Sequence, residues 1–122
     1  LPDLPTLADA LLARRLITPY QAARVRGGSV NGLVLGNYRV LEKVGAGGMG
    51  VVFRAEHMTL RTPAAIKALF VDGPKHRRTV DRFFLEVRAV SALRHPNVVA
   101  ALDAGEEPHA GPDGQAVPYL VM

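Results

Sequence analysis

The segment from Gly45 to Gly50 constrains the fold most, because four of its six residues are glycine. Runs of strand-forming residues lie on both sides of it. The residues directly after it, Val51 to Phe53, are β-branched or aromatic and include no helix cap. This pattern predicts a β-hairpin with a glycine-rich turn. A simple hairpin turn needs only about one or two glycines, and each further glycine costs backbone entropy. The surplus therefore indicates that another group approaches this backbone closely.

The glycine spacing alone leaves two other interpretations open. The pattern Gly45-x-Gly47-x-x-Gly50 also matches the dinucleotide-binding fingerprint, in which a helix begins directly after the glycines and faces the pyrophosphate. A helix that begins at Gly50 would support that interpretation, and a strand there would exclude it. The remaining interpretation is a glycine-rich loop that binds no ligand.

The rest of the chain predicts an α+β domain with an antiparallel sheet. Residues 4–26 have the pattern of two short helices, and the second begins at a capping box formed by Thr18 and Gln21. Residues 27–37 are rich in glycine, serine and asparagine and are predicted to be a linker. Five strands are predicted, at 38–44, 51–56, 64–71, 98–102 and 117–122, with a loop at 106–115.

One longer helix is predicted between the third and fourth strands. Its apolar side chains recur at helical spacing from about Thr79, and Pro96 ends the pattern. In the first strand, strict alternation would place Val40 and Val44 on one face and Lys43 on the other. We expect a boundary after residue 36, which separates a helical extension and linker at 1–36 from a sheet domain at 37–122.

Composition excludes several classes of function. The 122 residues contain no cysteine, which excludes disulfides, thiolate zinc sites and cysteine nucleophiles. No apolar run approaches the roughly 18 residues of a membrane span. The net charge of +4 is spread along the chain, and the basic run at 75–78 has no aromatic platform, so we expect a solvated loop there and no nucleic-acid binding. The four histidines lack the spacing of a metal site.

Two charged side chains lie beside apolar neighbours. Lys67 is within the apolar strand at 64–70, and alternation puts it on the same face as Ala65. Its ammonium group must either reach water, as on an edge strand, or find an anion. Glu86 lies at the margin of the apolar stripe of the helix. It can pair with Arg82, one turn back, or with Lys67 across the sheet.

Together these motifs resemble those of the eukaryotic-type protein kinases, and most closely those of the bacterial serine/threonine kinases. Residues 45–52 fit the glycine-rich loop G-x-G-x-x-G-x-V, and residues 64–67 resemble the V-A-I-K strand, with alanine in place of the first valine. The helix around Glu86 resembles the αC helix of that family, and residues 95–99 and 119–122 resemble the segments that follow it. The resemblance covers about residues 38–122. It implies a kinase small lobe, with a five-stranded antiparallel sheet and one αC-type helix, preceded here by the short helical pair.

The resemblance implies a role for each matching residue. The backbone of the glycine-rich loop would cover the phosphates of ATP, Val44 and Val52 would pack on the adenine with Ala65 opposite, and Met122 would be the gatekeeper. Lys67 would hold the α- and β-phosphates, and Glu86 would fix Lys67 by an ion pair. The implied catalytic residues are therefore Lys67 and Glu86. The implied nucleotide-binding residues are Val44, Gly45, Ala46, Gly47, Gly48, Met49, Gly50, Val51, Val52, Ala65, Lys67 and Met122.

The sequence contains neither the H-R-D-x-x-x-x-N loop nor the D-F-G motif, so it has no catalytic aspartate and no magnesium ligand of the family. The chain begins with Leu1, and its last strand has no stop signal, which we interpret as a sign of a longer parent protein. We expect that parent to be a serine/threonine kinase that uses ATP with Mg²⁺ to phosphorylate protein hydroxyls. We expect these 122 residues alone to be inactive.

Two alternatives stand beside the kinase interpretation, a pseudokinase lobe that acts as an interaction module and, less favoured, a dinucleotide-binding domain. Leucines of the N-terminal helices could form a dimerisation module or fold onto the lobe. We further expect the chain to self-associate through an exposed lobe face or these helices, and the kinase part to be cytoplasmic.

Overall fold

The structure, a computed structural model, describes residues 3–47, 50–70, 76–92 and 101–122, without the side chain of Val90. This part of the chain contains three helices and six strands. The helices are α1 (Leu4–Ala13), α2 (Pro19–Arg26) and α3 (His76–Ser91). The strands are β1 (Val34–Leu35), β2 (Tyr38–Gly47), β3 (Gly50–His57), β4 (Pro63–Ala68), β5 (Asp103–Glu107) and β6 (Val117–Val121). The predicted α+β class is confirmed.

The strands form one antiparallel sheet in the order β1-β2-β3-β4-β6-β5, with six strands rather than the predicted five. The additional strand, β1, lies in the segment predicted to be a linker. Gly36 has a φ of +59°, which glycine adopts at little cost. The chain therefore turns back at Gly36 and Asn37, and Leu35 pairs with Tyr38. A strand of two residues is too short to produce an alternating pattern in the sequence.

The strand predicted at 98–102 is wrong at residues 101 and 102, which are not in a strand, and residues 98–100 lie outside the described residues. The strand that the structure describes in this region is β5, at Asp103–Glu107. Among the described strands, β5 is at one edge of the sheet and pairs only with β6. An edge strand accommodates charged side chains such as Asp103 and Glu106 well. The apolar pattern therefore missed it, and the predicted loop begins only after residue 107.

α3 begins at His76 rather than at Thr79. The basic run expected in a loop thus lies partly in the first turn of the helix. There Arg77 forms ion pairs with Asp81 at 3.0 Å and with Glu106 of β5 at 3.5 Å. These pairs extend the helix toward its N-terminus, beyond its apolar stripe. Lys75 and the helix end predicted at Pro96 lie outside the described residues.

Two β-bulges change which side chains of β2 share a face. Register shifts occur between Val40 and Glu42 and between Lys43 and Gly45. Each bulge adds one residue to one strand of the pair and so resets the alternation. As a result Lys43 pairs with Phe53, on the same face as the buried Val40. The strict alternation that separated Lys43 from Val40 is therefore wrong.

The main core lies on one face of the sheet. Its buried side chains come from β1 to β4, β6 and the segment before β6, and they are Leu35, Tyr38, Val40, Phe53, Ala55, Ile66, Ala68, Ala110, Val117, Tyr119 and Val121. Tyr20 of α2 packs against this core, with its ring centroid 6.0 Å from that of Phe53. The N-terminal extension therefore covers part of this face. Of the two roles predicted for the N-terminal helices, this is the one in which they fold onto the lobe.

α2 is joined to β2 by side-chain hydrogen bonds. The predicted capping box of Thr18 and Gln21 is present. The same two side chains also reach the sheet, where the Thr18 hydroxyl donates to the Leu41 carbonyl and Gln21 Nε2 donates to the Val40 carbonyl at 2.7 Å. These carbonyls lie at the first bulge of β2, so the helix supplies partners where the strand ladder is irregular.

α3 packs on the opposite face of the sheet. Phe83 and Val87 of the helix form a second buried cluster with Leu69, and Leu120 packs against it. The described part of the predicted apolar stripe therefore packs on the sheet, and the side chains of its last two members, Val90 and Leu93, lie outside the described residues. None of the helices in the described ranges is long and apolar enough to cross a membrane.

Candidate functional site

The glycine-rich segment joins β2 to β3, and Gly47 pairs with Gly50 at the end of the ladder. The predicted hairpin is therefore confirmed. Gly50 begins a strand and not a helix, so the dinucleotide-binding interpretation is wrong. The strand forms because Val51 and Val52 pair with β4 on their other side. Gly48 and Met49, two of the predicted phosphate-covering residues, lie outside the described residues.

The glycines of this hairpin meet different surroundings. A Cβ added at Gly50 would lie 2.6 Å from the carbonyl oxygen of Ala68, so the packing of β3 on β4 requires glycine there. A Cβ added at Gly45 or Gly47 would meet no atom of the described residues within 4 Å, apart from those of its chain neighbours. These two glycines therefore leave their backbone open to a group from outside the chain. Of the three hairpin glycines that the structure describes, the fold requires only Gly50, which explains part of the surplus of glycine.

A cavity of about 400 Å³ lies beside the hairpin. Four of its lining residues are the ones predicted to surround adenine and the gatekeeper position, namely Val44, Val52, Ala65 and Met122. Ala65 and Met122 exchange two backbone hydrogen bonds, of 2.8 and 3.2 Å, which hold β4 and the end of the chain together. The cavity size is within the roughly 300–1,000 Å³ of small-molecule sites.

Lys67 lies two residues after Ala65 in β4, and its side chain is on the same face of the sheet. It is exposed, and its neighbours in the ladder are Val52 of β3 and Leu120 of β6. Its Cε atom is 3.7 Å from the position that a Cβ of Gly50 would occupy. The Lys67 side chain therefore lies beside the end of the glycine-rich hairpin. Because Ile66 and Ala68 are buried on the other face, the predicted alternation of β4 is confirmed.

Glu86 of α3 and Lys67 line the same small cavity, which has a volume of about 150 Å³. Phe83 and Val87 form its apolar side. Glu86 is exposed and pairs with Arg82 at 3.5 Å. Within the described residues no ion pair joins Glu86 to Lys67. The structure thus brings the two predicted catalytic side chains to one cavity, with the carboxylate turned to its neighbour on the helix.

The sequence pattern missed several residues that line these cavities. Arg54 and Pro63 line the larger cavity, and Leu120 lines the smaller one. Arg54 pairs with Ala65 in the β3–β4 register, which no local pattern shows. In the described ranges no group of three or more histidine, aspartate or glutamate side chains could hold a metal ion. The chemistry available at this site is therefore an apolar slot, an open backbone and the Lys67 cation.

The chain is similar to curated serine/threonine-protein kinases of bacteria. It is 33% identical to Pkn1 of Myxococcus xanthus over 91 residues, which are 75% of this chain and 12% of that protein. It is 39% identical to PrkC of Bacillus subtilis over 74 residues, which are 61% of this chain and 11% of PrkC. It is 44% identical to pkn3 of Myxococcus xanthus over 69 residues, or 57% of this chain and 13% of pkn3.

No family model matches the chain. The chain spans only about an eighth of the length of these curated relatives. The resemblance to bacterial serine/threonine protein kinases, predicted from the glycine loop and the strand of Lys67, is nevertheless confirmed.

Proposed function

We propose that this chain is the nucleotide-binding small lobe of a serine/threonine protein kinase, with the lobe at residues 37–122 and a helical extension at 1–36. The observation that carries the proposal is the arrangement on one face of the sheet. Three features follow one another there. They are the cavity lined by Val44, Val52, Ala65 and Met122, the open backbone of Gly45 and Gly47, and the Lys67 ammonium. An aromatic base with a phosphate tail matches that order of apolar slot, open amides and cation.

The residues present fit ATP in a definite orientation. Val44 and Val52 cover one side of the adenine and Ala65 the other, with Met122 as the gatekeeper. Backbone amides of residues 45–50, together with Val51, cover the phosphates. Lys67 holds the α- and β-phosphates, since its side chain reaches the end of the hairpin. Bound ATP, with Mg²⁺, supplies the γ-phosphoryl group that a complete kinase transfers to a protein hydroxyl.

Glu86 has a positioning role in this proposal. It is one turn from Arg82 and faces the same cavity as Lys67. A change of side-chain rotamer or a small shift of α3 therefore replaces its ion pair with Arg82 by one with Lys67. The ion pair with Lys67 would then hold the ammonium group toward the phosphates. The exposed Arg82–Glu86 pair is a weak competitor, because such surface pairs contribute only about 0.3–0.5 kcal/mol.

The parent protein, in this proposal, phosphorylates serine or threonine of protein substrates in the cytoplasm and binds no nucleic acid. These 122 residues lack the catalytic aspartate and the magnesium-binding aspartate of kinases, so alone they bind nucleotide without transferring phosphate. Exposed apolar side chains such as Val44, Leu85 and Leu102 favour self-association of the chain. A pseudokinase module is the second candidate, because the Arg82–Glu86 pair leaves Lys67 without its kinase partner.

The first test compares two lysines on opposite faces of the sheet. The Lys67→Met variant should bind ATP about tenfold more weakly than the wild type, because it loses a charge-assisted contact with the phosphates. The matched variant Lys43→Met should bind ATP as the wild type does, since Lys43 faces the other side. Affinity is measured by following backbone amide resonances of the 122-residue chain during a titration with ATP.

Equal losses in the two variants, or no saturable binding by the wild type, would contradict the proposal and favour the interaction module. The same samples test inactivity. Neither ATP hydrolysis nor autophosphorylation should exceed that of Lys67→Met, and turnover above that level would show that the chain contains more of the catalytic machinery than proposed.

A further inference from the structure

A second cavity lies on the opposite face of the sheet and plays no part in the proposed nucleotide site. Its volume is about 280 Å³, and it lies between α2, the segment after α2, the strands β2 and β3 and the segment before β6. Val51 lines it, whereas Val52 and Arg54 line the nucleotide cavity, and Phe53 contributes to both. Because successive residues of a strand point to opposite faces, the two cavities are separated by the sheet.

One wall of this second cavity is aromatic. The ring of Phe53 lies 6.0 Å from that of Tyr20 at an angle of 53°, and 6.3 Å from that of Phe70 at an angle of 86°. Tyr20 and Phe70 are only partly buried, so their edges remain available to a further ring. Tilted and edge-on contacts of this kind are the favourable arrangements between aromatic rings. The wall therefore suits a flat apolar group.

Two cations face the same cavity. The Arg24 guanidinium is held in place by donating to the Ser29 carbonyl at 2.6 Å, to the Tyr20 hydroxyl at 2.9 Å and to the Asn31 carbonyl. A guanidinium has five N–H donors, so two of them remain after these three hydrogen bonds. Its position is therefore fixed without exhausting its capacity for an anion.

Lys43 supplies the second cation. The bulge between Val40 and Glu42 puts its side chain on this face, and bulges are a common means of redirecting one side chain. Lys43 has no ion-pair or hydrogen-bond partner in the part of the chain that the structure describes. None of the lining residues that the structure describes is acidic. These residues therefore do not compensate the positive charge of the cavity.

We propose that this cavity binds a small aromatic carboxylate, with its ring against Phe53 and Phe70 and its carboxylate between Arg24 and Lys43. The volume suits a ligand smaller than a nucleotide, since it is slightly below the roughly 300–1,000 Å³ of common ligand sites. The ligand would contact the two strands that flank the glycine-rich turn, on the face of the sheet opposite the nucleotide cavity. This inference does not depend on the proposed kinase function.

The test uses the 122-residue chain and 4-phenylbutyrate as the probe, with its neutral amide, 4-phenylbutanamide, as the matched control. Binding of the acid should be saturable at roughly 1–10 mM, as expected for about a dozen heavy atoms. The NMR signals that shift should be those of Val51 and Phe70, and those of Ala65 should not move. The amide should bind about tenfold more weakly, because it loses the charge-assisted contacts.

Three variants test whether binding of the probe depends on the Lys43 cation itself or only on the net charge of the chain. Lys43→Met should weaken binding of 4-phenylbutyrate about tenfold, and Lys43→Arg should retain it. Arg54→Met removes an exposed cation from the opposite face and should have no effect. Equal affinity of acid and amide, equal effects of Lys43→Met and Arg54→Met, shifts centred on Ala65, or no saturation would each overturn the proposal. Displacement of the probe by ATP, with ATP shifting Phe70, would assign the cavity to nucleotide instead.

Discussion

Gly45 and Gly50 are the same residue type in one hairpin, but the structure gives them different physical roles. Gly50 is required by packing, because a methyl group there would contact the Ala68 carbonyl at 2.6 Å. Gly45 faces open space, so the fold does not explain why it lacks a side chain. The nucleotide proposed above would explain it. Residue type alone could not distinguish the two cases.

A pair of alanine variants tests this distinction. Gly50→Ala should reduce the free energy of unfolding by about 1–3 kcal/mol, because backbone of β3 or β4 must shift to relieve the contact. Gly45→Ala should change stability by less than about 0.5 kcal/mol and should weaken ATP binding instead. Urea denaturation and ATP titration of both variants give the two measurements. If Gly45→Ala bound ATP like the wild type, the open backbone would have no part in nucleotide binding.

At the scale of elements, β2 and α2 form one structural unit. The two bulges of β2 send Lys43 to one cavity and Val44 to the other, and α2 supplies hydrogen bonds to carbonyls at the first bulge. The N-terminal extension therefore supports the strand that leads into the glycine-rich hairpin. The sequence predicted the N-cap of α2 but not this contact, since the bulge and its partner are far apart in the chain.

Gln21 is the side chain through which this support can be measured. Gln21→Ala removes the hydrogen bond to Val40 and the one accepted from the Thr18 amide, and should cost about 1–2 kcal/mol of stability. Gln21→Glu keeps an acceptor for Thr18 but no donor for Val40, and should lie between the wild type and Gln21→Ala. Denaturant midpoints compare the three proteins. If Gln21→Glu were as stable as the wild type, the contact with the bulge would contribute nothing.

At the scale of the whole molecule, Tyr119 of β6 ties the linker to the edge of the sheet. Cβ atoms added at Gly36 or Gly105 would overlap the Tyr119 side chain, so it is packed between these two glycines. Burial raises the pKa of Tyr119 above its ordinary value, and the nearby carboxylates of Asp103 and Glu107 raise this pKa further. The folded chain thus binds the phenolic proton more tightly than the unfolded chain does.

This linkage predicts how stability depends on pH. The contribution of Tyr119 is fully present below the ordinary pKa of 10.0 and is lost as the pH rises through the higher pKa of the folded state. The melting temperature should therefore fall above about pH 10, and should fall less in Tyr119→Phe. Melting curves between about pH 8 and pH 11 measure the difference. Parallel curves for the two proteins would show that Tyr119 titrates alike in the folded and unfolded chains.

The sequence by itself determined the features that depend on neighbouring residues in the chain. These are the hairpin at Gly45–Gly50, the shared face of Ala65 and Lys67, the cap at Thr18 and the apolar stripe of α3. They were predictable because strand alternation, helical spacing and capping each act over a few residues. The motifs built on them were sufficient to indicate the resemblance to bacterial kinases.

Only the tertiary structure decided the features that depend on pairing between distant segments. The bulges of β2, the short strand β1 and the place of β5 follow from register and packing. A one-residue change of register moves every side chain to the other face, so local alternation misassigned Lys43. The second cavity, with Lys43 and Arg24 beside an aromatic wall, lies where the bulged strand β2 and the helix α2 meet on one face of the sheet.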